Sequence, residues 1–246
     1  MAGKTIRERL EGRELKMVCV FSMALLFFAG VVGMAKEGRS LREAAEGLWV
    51  IVISRDTLIT DYFELVGYGA AFVNALLVMF LEYWLLCREK MNFTGLTMAA
   101  FFINIGYALW GKNPVNILPI LLGSYLYAKL HKARLGRYIY TALFGTCLSP
   151  LVTEMVFMLP FHWGVNLLIA VGMGILIGFV LPSLSMHTAS MHMGYNLFNV
   201  GFSGGILAFV LVCILKAFGI ESESVMIWKA ASPLWIVIVL YAFFLL

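Results

Sequence analysis

The sequence predicts an all-α protein: a polytopic membrane helix bundle of about eight spans plus two re-entrant or half-membrane segments, built on an inverted repeat. Three observations predict this class. The 246 residues are 62% hydrophobic and only 13% charged, with a mean hydropathy of +0.91. A soluble domain carries about 25% charged residues and needs them to cover its surface. The apolar runs are long and continuous, without the period-two alternation of a barrel strand. Helices satisfy their own backbone groups and therefore suit lipid as a solvent. Finally, two polar, interrupted stretches each lead into a glycine-rich apolar run.

A helix needs about 20 apolar residues to cross the hydrocarbon core. Runs of that kind place spans at about 17–35, 62–87, 94–111, 114–131, 138–160, 164–182, 200–218 and 228–246. The stretches 44–60 and 184–198 are too apolar for ordinary loops and too interrupted for full spans, so they are expected to be the re-entrant segments. The first run, Met17 to Ala35, is too long for a cleavable signal peptide and lacks an A-x-A site, so it is expected to stay as a span.

Loop Lys and Arg residues set the orientation. Lys4, Arg7, Arg9, Arg13 and Lys16 precede the first span, Arg88 and Lys90 follow the second, and Lys129, Lys132, Arg134 and Arg137 follow the fourth. All three groups fall on one side if the N-terminus is cytoplasmic; Arg39, Arg42 and Arg55 run against this pattern. The expected organisation is a cytoplasmic segment at 1–16 and a single transmembrane domain at 17–246, located multi-pass in the cell (plasma) membrane.

Val66–Ala75 (VGYGAAFVNA) aligns with Val200–Phe209 (VGFSGGILAF), Gly67 falling on Gly201, 134 residues on. By the span list the two copies are five crossings apart, an odd number, so they point in opposite directions. Inverted repeats with broken helices hold transporter sites near the midplane. The first repeat is placed at about 44–182 and a partial second at about 184–246. The Gly111-Lys112-Asn113-Pro114 motif has its repeat position at the end of the sequence, which implies one and a half repeats.

Ionisable groups at membrane depth are costly and face protein or water-filled space. Asp61 and Glu64 are three apart, on one helical face, suited to a cation, a proton or the interface. Arg55 and Asp56 are placed to neutralise each other. Glu154 follows Ser149-Pro150, where proline removes a backbone hydrogen bond and opens the helix. Glu82 lies near a basic end and is expected to snorkel. Asn74, Asn104, Asn113, Asn116, Asn196 and Asn199 offer donors and acceptors without charge, as a neutral polar solute or a partly dehydrated ion requires. The expected contacts are thus Asp61, Asn74, Asn113, Asn116, Asn196 and Asn199 for substrate, and Glu154, Glu64, His187 and His192 for proton or ion coupling.

No metal site or cofactor is expected. His187 and His192 are five apart, about 140° around a helix, and no HExxH is present. The four cysteines have no metal spacing. No P-loop, dinucleotide fingerprint or G-x-S-x-G elbow occurs, and the basic residues report topology rather than nucleic-acid binding. The expected partners are the lipid bilayer, a small polar solute or ion, and a homo-oligomeric copy or a second chain supplying the missing half-repeat.

Four stretches, SRDTLITDYF (54–63), GYGAAFVNA (67–75), FINIGYALWGKNPVNILPILLG (102–123) and HTASMHMGYNLFNVGFSGG (187–205), resemble a bacterial family of multi-spanning membrane proteins named only as a domain of unknown function. The resemblance covers most of 50–210 and implies a longer chain. It brings no substrate. The glycine-rich broken segments are also similar in architecture to urea-transporter-like channels, a likeness of fold alone. Together these features imply a transporter or channel for a small polar solute or ion, by secondary transport and without enzymatic chemistry. The alternatives are an intramembrane enzyme and a non-transporting or truncated membrane subunit.

Overall fold

The computed structural model describes residues 6–56, 59–221 and 226–244. It is an all-α bundle. The helices are α1 (Ile6–Glu37), α2 (Leu41–Ile53), α3 (Tyr62–Arg88), α4 (Gly95–Ala108), α5 (Leu118–Leu130), α6 (Ile139–Gly145), α7 (Ser149–Met158), α8 (Trp163–Met191), α9 (Asn199–Ala217) and α10 (Leu234–Phe244). Two-residue strands β1 (Ile59–Thr60) and β2 (Met226–Ile227) pair in parallel.

Among the described residues, five segments are long and apolar enough to cross a membrane: Leu10–Glu37, Tyr62–Arg88, Ile139–Met158, Trp163–Met191 and Asn199–Ala217. The expected eight spans are not confirmed among the described residues. The runs 94–111 and 114–131 are not full spans, because α4 has 14 residues and α5 has 13. At 1.5 Å per residue each is about 20 Å long, against a hydrocarbon core of about 30 Å. They form a helical hairpin whose tip, 109–117, buries Gly111, Lys112, Asn113, Asn116 and Ile117 while leaving Trp110 and Val115 exposed. The run at 228–246 begins as helix only at Leu234.

The two stretches expected to be re-entrant differ from each other. In 44–60, α2 is a short helix started by a capping box, Ser40 with Glu43, a device that satisfies two orphan donors of the first turn. It ends at Ser54, whose backbone is extended, and α3 begins at Tyr62. In 184–198, the first half simply continues α8, past an internal Pro182. The chain then turns at Met193 (φ 47) and Gly194 (φ 88) into α9.

The repeat-related glycines also differ. Gly67 has φ 82 and ψ 172 and kinks α3; that region is essentially restricted to glycine. The Glu37 carboxylate and the Arg39 guanidinium close over it. Gly201 lies within continuous α9.

Small residues bring α5 and α8 into close contact. A Cβ at Gly123 would overlap the Ile175 carbonyl, and one at Gly178 the Ile120 carbonyl. The Ser124 hydroxyl donates to the Gly178 carbonyl at 2.9 Å. In lipid there is no hydrophobic drive between helices, so this intimate small-residue packing is what holds the pair together. It seats the hairpin against a spanning helix and fixes the height of its tip.

Candidate functional site

The polar centre of the molecule lies where two chain breaks meet: 54–61, between α2 and α3, and 109–117, at the hairpin tip. The Tyr62 N–H donates to the Leu109 carbonyl at 3.1 Å, joining the two directly. The tip forms because α4 ends in a Schellman-type turn: Gly111 has φ 109 and the Lys112 N–H donates to the Tyr107 carbonyl at 3.1 Å, satisfying an orphan carbonyl through a left-handed residue. Asn74, in α3, donates to the Ala108 and Lys112 carbonyls at 2.7 and 2.9 Å. It thereby caps the rest of the helix end.

That turn sends the Lys112 side chain into the bundle, where it is fully buried. Its ammonium donates to Glu82 Oε1 at 2.9 Å, to Thr146 Oγ1 at 2.7 Å and to Asn104 Oδ1. Those are three acceptors for three N–H donors. The acceptors come from α3, from the 3-10 break at Thr146–Leu148 between α6 and α7, and from α4. Lys112 is therefore no outer-loop residue. Glu82 does not snorkel, because it is 1% exposed and held by an interior cation.

Beside this pair lies a second cluster. Asn113 and Asn116 lock the tip reciprocally: Asn113 Oδ1 accepts from the Val115 and Asn116 N–H groups, and Asn116 Oδ1 accepts from the Asn113 N–H. The Asn116 amide then donates to the Gly111 carbonyl at 3.0 Å, to Thr153 Oγ1 at 2.9 Å and, longer, to Asp56 Oδ2 at 3.5 Å. The Tyr62 hydroxyl donates to Asp56 Oδ1 at 3.0 Å. Arg55 pairs with Glu154 on α7 at 2.7 Å rather than with neighbouring Asp56. Pro150, in the first turn of α7, packs against Gly111. The helix opening at Pro150 thus faces the hairpin tip.

Three buried polar atoms in this region make no hydrogen bond: Glu82 Oε2, Asn113 Nδ2 and Ser149 Oγ. Buried polar groups are nearly always paired, so such orphans mark strain, function or an absent water or ion.

The remaining candidates lie elsewhere. Asp61 is buried, but as the N-cap of α3, accepting from the Phe63 N–H at 2.8 Å and from the Lys229 N–H at 3.2 Å. Glu64 is exposed on the first turn of α3, so the two acids do not share a surface. His187 is exposed. His192, Asn196 and Asn199 form a local set at the α8–α9 turn. His192 Nδ1 accepts from the Gly194 and Asn196 N–H groups, so Nε2 carries the proton and donates to Asn199 Oδ1 at 2.8 Å. Asn199 Nδ2 donates to the Ser185 carbonyl, and the Thr188 hydroxyl to Asn199 Oδ1. These bonds share no residue with those at the hairpin tip. Among the described residues no group of three or more His, Cys, Asp or Glu is placed to hold a metal ion.

Sequence reasoning passed over Lys112, Glu82, Thr146, Thr153 and Tyr62. The signal for Lys112 was a Gly-Lys-Asn-Pro break between two apolar runs at the short end of the membrane-crossing range. Thr146 and Thr153 flank the Pro150 break.

Five long apolar segments, together with the buried Lys112–Glu82 ion pair, define a membrane-embedded helical protein. Residues 40–217 match the model of a family described as Protein of unknown function (DUF1576), and the chain belongs to that family. Neither a search of curated proteins nor one of solved structures yields a match.

Proposed function

We propose that this protein is a secondary transporter or channel for a small polar solute or ion in the cell membrane, with its centre where the two chain breaks meet. In this reading α1, α3, α6–α7, α8 and α9 cross the bilayer. The α4–α5 hairpin enters and leaves on the basic, cytoplasmic side, flanked by Arg88, Lys90, Lys129 and Lys132. The 54–61 break descends from the opposite side, and α10 begins a further crossing. Asn113, Asn116 and Asp56 contact the solute. The Lys112–Glu82 and Arg55–Glu154 pairs couple its movement to the position of the hairpin.

One observation carries the reading: an acid and a cation from two chain breaks, Asp56 and Lys112, are both buried inside an apolar bundle. Buried ion pairs seldom stabilise relative to apolar packing. Charges at membrane depth mark ion and solute pathways. The orphaned Asn113 and Ser149 atoms add a donor and a hydroxyl that protein does not occupy.

The test places a cysteine at Asn116 in a background lacking the other cysteines and reconstitutes the full chain in liposomes. The expected result is that a membrane-impermeant thiol reagent labels Cys at 116 from at least one side. Stopped-flow shrinkage with urea, formamide and glycerol, and pyranine fluorescence for protons, should report flux that Asp56→Asn lowers about tenfold, the equivalent of about 1.4 kcal/mol. Complete protection of position 116 from both sides in folded protein would overturn the proposal.

A further inference from the structure

Between α3 and α5 the bundle is not closed. A groove of about 660 Å³ opens sideways there, its walls formed by Leu81, Trp84, Val115, Leu118, Leu122 and Tyr125. Its lining is almost wholly apolar. On α3 it runs from Leu81 to Arg88 and on α5 from Leu118 to Tyr125, eight residues in each case, or about 10 Å of helix. One leaflet of the hydrocarbon core is about 15 Å deep, so the groove follows one leaflet from its edge toward the hairpin tip.

The two ends differ in chemistry. At the inner end stand Val115 and Pro119. At the outer end the Arg88 guanidinium lies over the Trp84 ring at 5.1 Å, and the Lys129 ammonium over the Tyr125 ring at 5.9 Å. Trp and Tyr belong at the level of lipid headgroups. Among the described residues neither Arg88 nor Lys129 is paired with a carboxylate. Glu89 also lines the groove, but its carboxylate is already engaged: it accepts from the Gly136 N–H at 3.0 Å and faces Arg134 at 3.9 Å. The rim therefore offers two cations, seated on aromatic rings, above an apolar slot.

We infer that this groove is a binding site for an anionic phospholipid, its acyl chain lying between α3 and α5 and its phosphate held by Arg88 and Lys129. Basic pockets between membrane helices capture anionic headgroups in this way. A second copy of the chain fits less well, because it would have to bury two like charges at the rim. The inference is independent of transport. It assigns a ligand to a surface that the polar centre does not use.

The test uses the full chain in a non-ionic detergent, with thermal unfolding followed by tryptophan fluorescence. Phosphatidylglycerol should raise Tm on the order of 3 °C more than the same mole fraction of phosphatidylcholine, as expected for a ligand that binds only the folded state. Glycerol phosphate, which carries the headgroup charge without chains, should have no effect. The double variant Arg88→Gln/Lys129→Gln should reduce the phosphatidylglycerol shift to that of phosphatidylcholine, and Leu122→Trp, which fills the slot, should remove both shifts. Lys16→Gln, a basic change elsewhere, should leave them intact. Equal shifts with both lipids, a shift with glycerol phosphate, or a phosphatidylglycerol shift that survives the double variant would overturn the proposal. So would a dimer that Leu122→Trp dissociates. If the double variant gives no cooperative transition, native mass spectrometry of the unaltered protein decides: one retained phosphatidylglycerol per chain supports the site, and none overturns it.

Discussion

The two polar interruptions, 54–61 and 192–198, have similar sequence texture and opposite structural roles. Both mix Asn, Asp, Ser, Thr or His into apolar sequence just before a glycine-rich helix. In the first, the side chains reach residues far along the chain: Arg55 reaches Glu154, and Asp56 reaches Asn116. In the second, every bond among the described residues closes between residues 185 and 203, and Tyr195 and Leu197 are at least nine-tenths exposed. A run of polar residues becomes a site when other elements deliver partners to it. The α4–α5 hairpin delivers them to the first interruption, and among the described residues nothing comparable reaches the second.

The comparison is tested most severely at Lys112. Lys112→Met leaves Glu82 buried without a cation, which should cost about 3–5 kcal/mol. The loss should appear as a large drop in unfolding midpoint in detergent. Because the cost is that of an orphaned charge, the double variant Lys112→Met/Glu82→Leu should recover most of it. A double variant as unstable as the single would show that the ammonium is needed for its bonds to Asn104 and Thr146 and not for Glu82. An equal loss on removing His192 would erase the contrast between the regions.

The same contrast explains how much of the structure was legible in the sequence. Hydropathy reports apolarity and run length, so α1, α3, α8 and α9 emerge close to their true positions. It does not report depth. The 94–111 run counted Leu109 and Trp110 as helix, whereas Gly111 ends α4 at Ala108. Reading these two runs as a hairpin would still leave an odd number of crossings between α3 and α9, so the expectation of inverted copies does not depend on that part of the count. Partner choice was the hidden part. Arg55 beside Asp56 looks like a local pair, and only the approach of α7 gives Arg55 to Glu154. Lys112 looked like a loop residue because counting basic residues treats every interhelical Lys as solvent-exposed. Glu82 looked able to reach the surface because its neighbours in sequence do. The asparagines at 113 and 116 were picked for their chemistry and do lie at the tip, whereas Asp61 was picked for its charge and serves to cap α3.

The repeat offers the next test. Gly67 and Gly201 align in sequence, yet only Gly67 has positive φ and is covered by Glu37 and Arg39. Gly67→Ala should cost about 1–3 kcal/mol through the strained backbone, and more where the side chains cannot move aside. Gly201→Ala falls in regular helix with only the Phe198 Cβ nearby at 3.8 Å. It should be neutral or stabilising by up to about 1 kcal/mol. Matched losses in the two variants would mean that α9 also breaks at its glycine, restoring the symmetry between the copies.

The smallest expected differences lie among the polar side chains themselves. Asn116→Ala removes an amide that serves the Gly111 carbonyl and Thr153 and whose own oxygen caps Asn113. Stranding these partners in the interior should cost about 1–3 kcal/mol. Asn199→Ala breaks a local set in which Thr188 retains the Ser203 hydroxyl as a partner, so its loss should sit near the roughly 0.6 kcal/mol average for polar contacts between membrane helices. His187→Ala and Glu64→Gln alter exposed groups and should fall within about 0.5 kcal/mol of the unaltered protein. Chemical unfolding of the four variants in one detergent gives the ranking directly. The order Asn116, Asn199, then the exposed pair follows from the reach of each side chain's bonds, since a partner on another element cannot shift to compensate while a neighbour in the same turn can. A loss at Asn199 equal to that at Asn116 would mean that the α8–α9 turn is held from outside its own segment, and would make it a second centre instead of a connection.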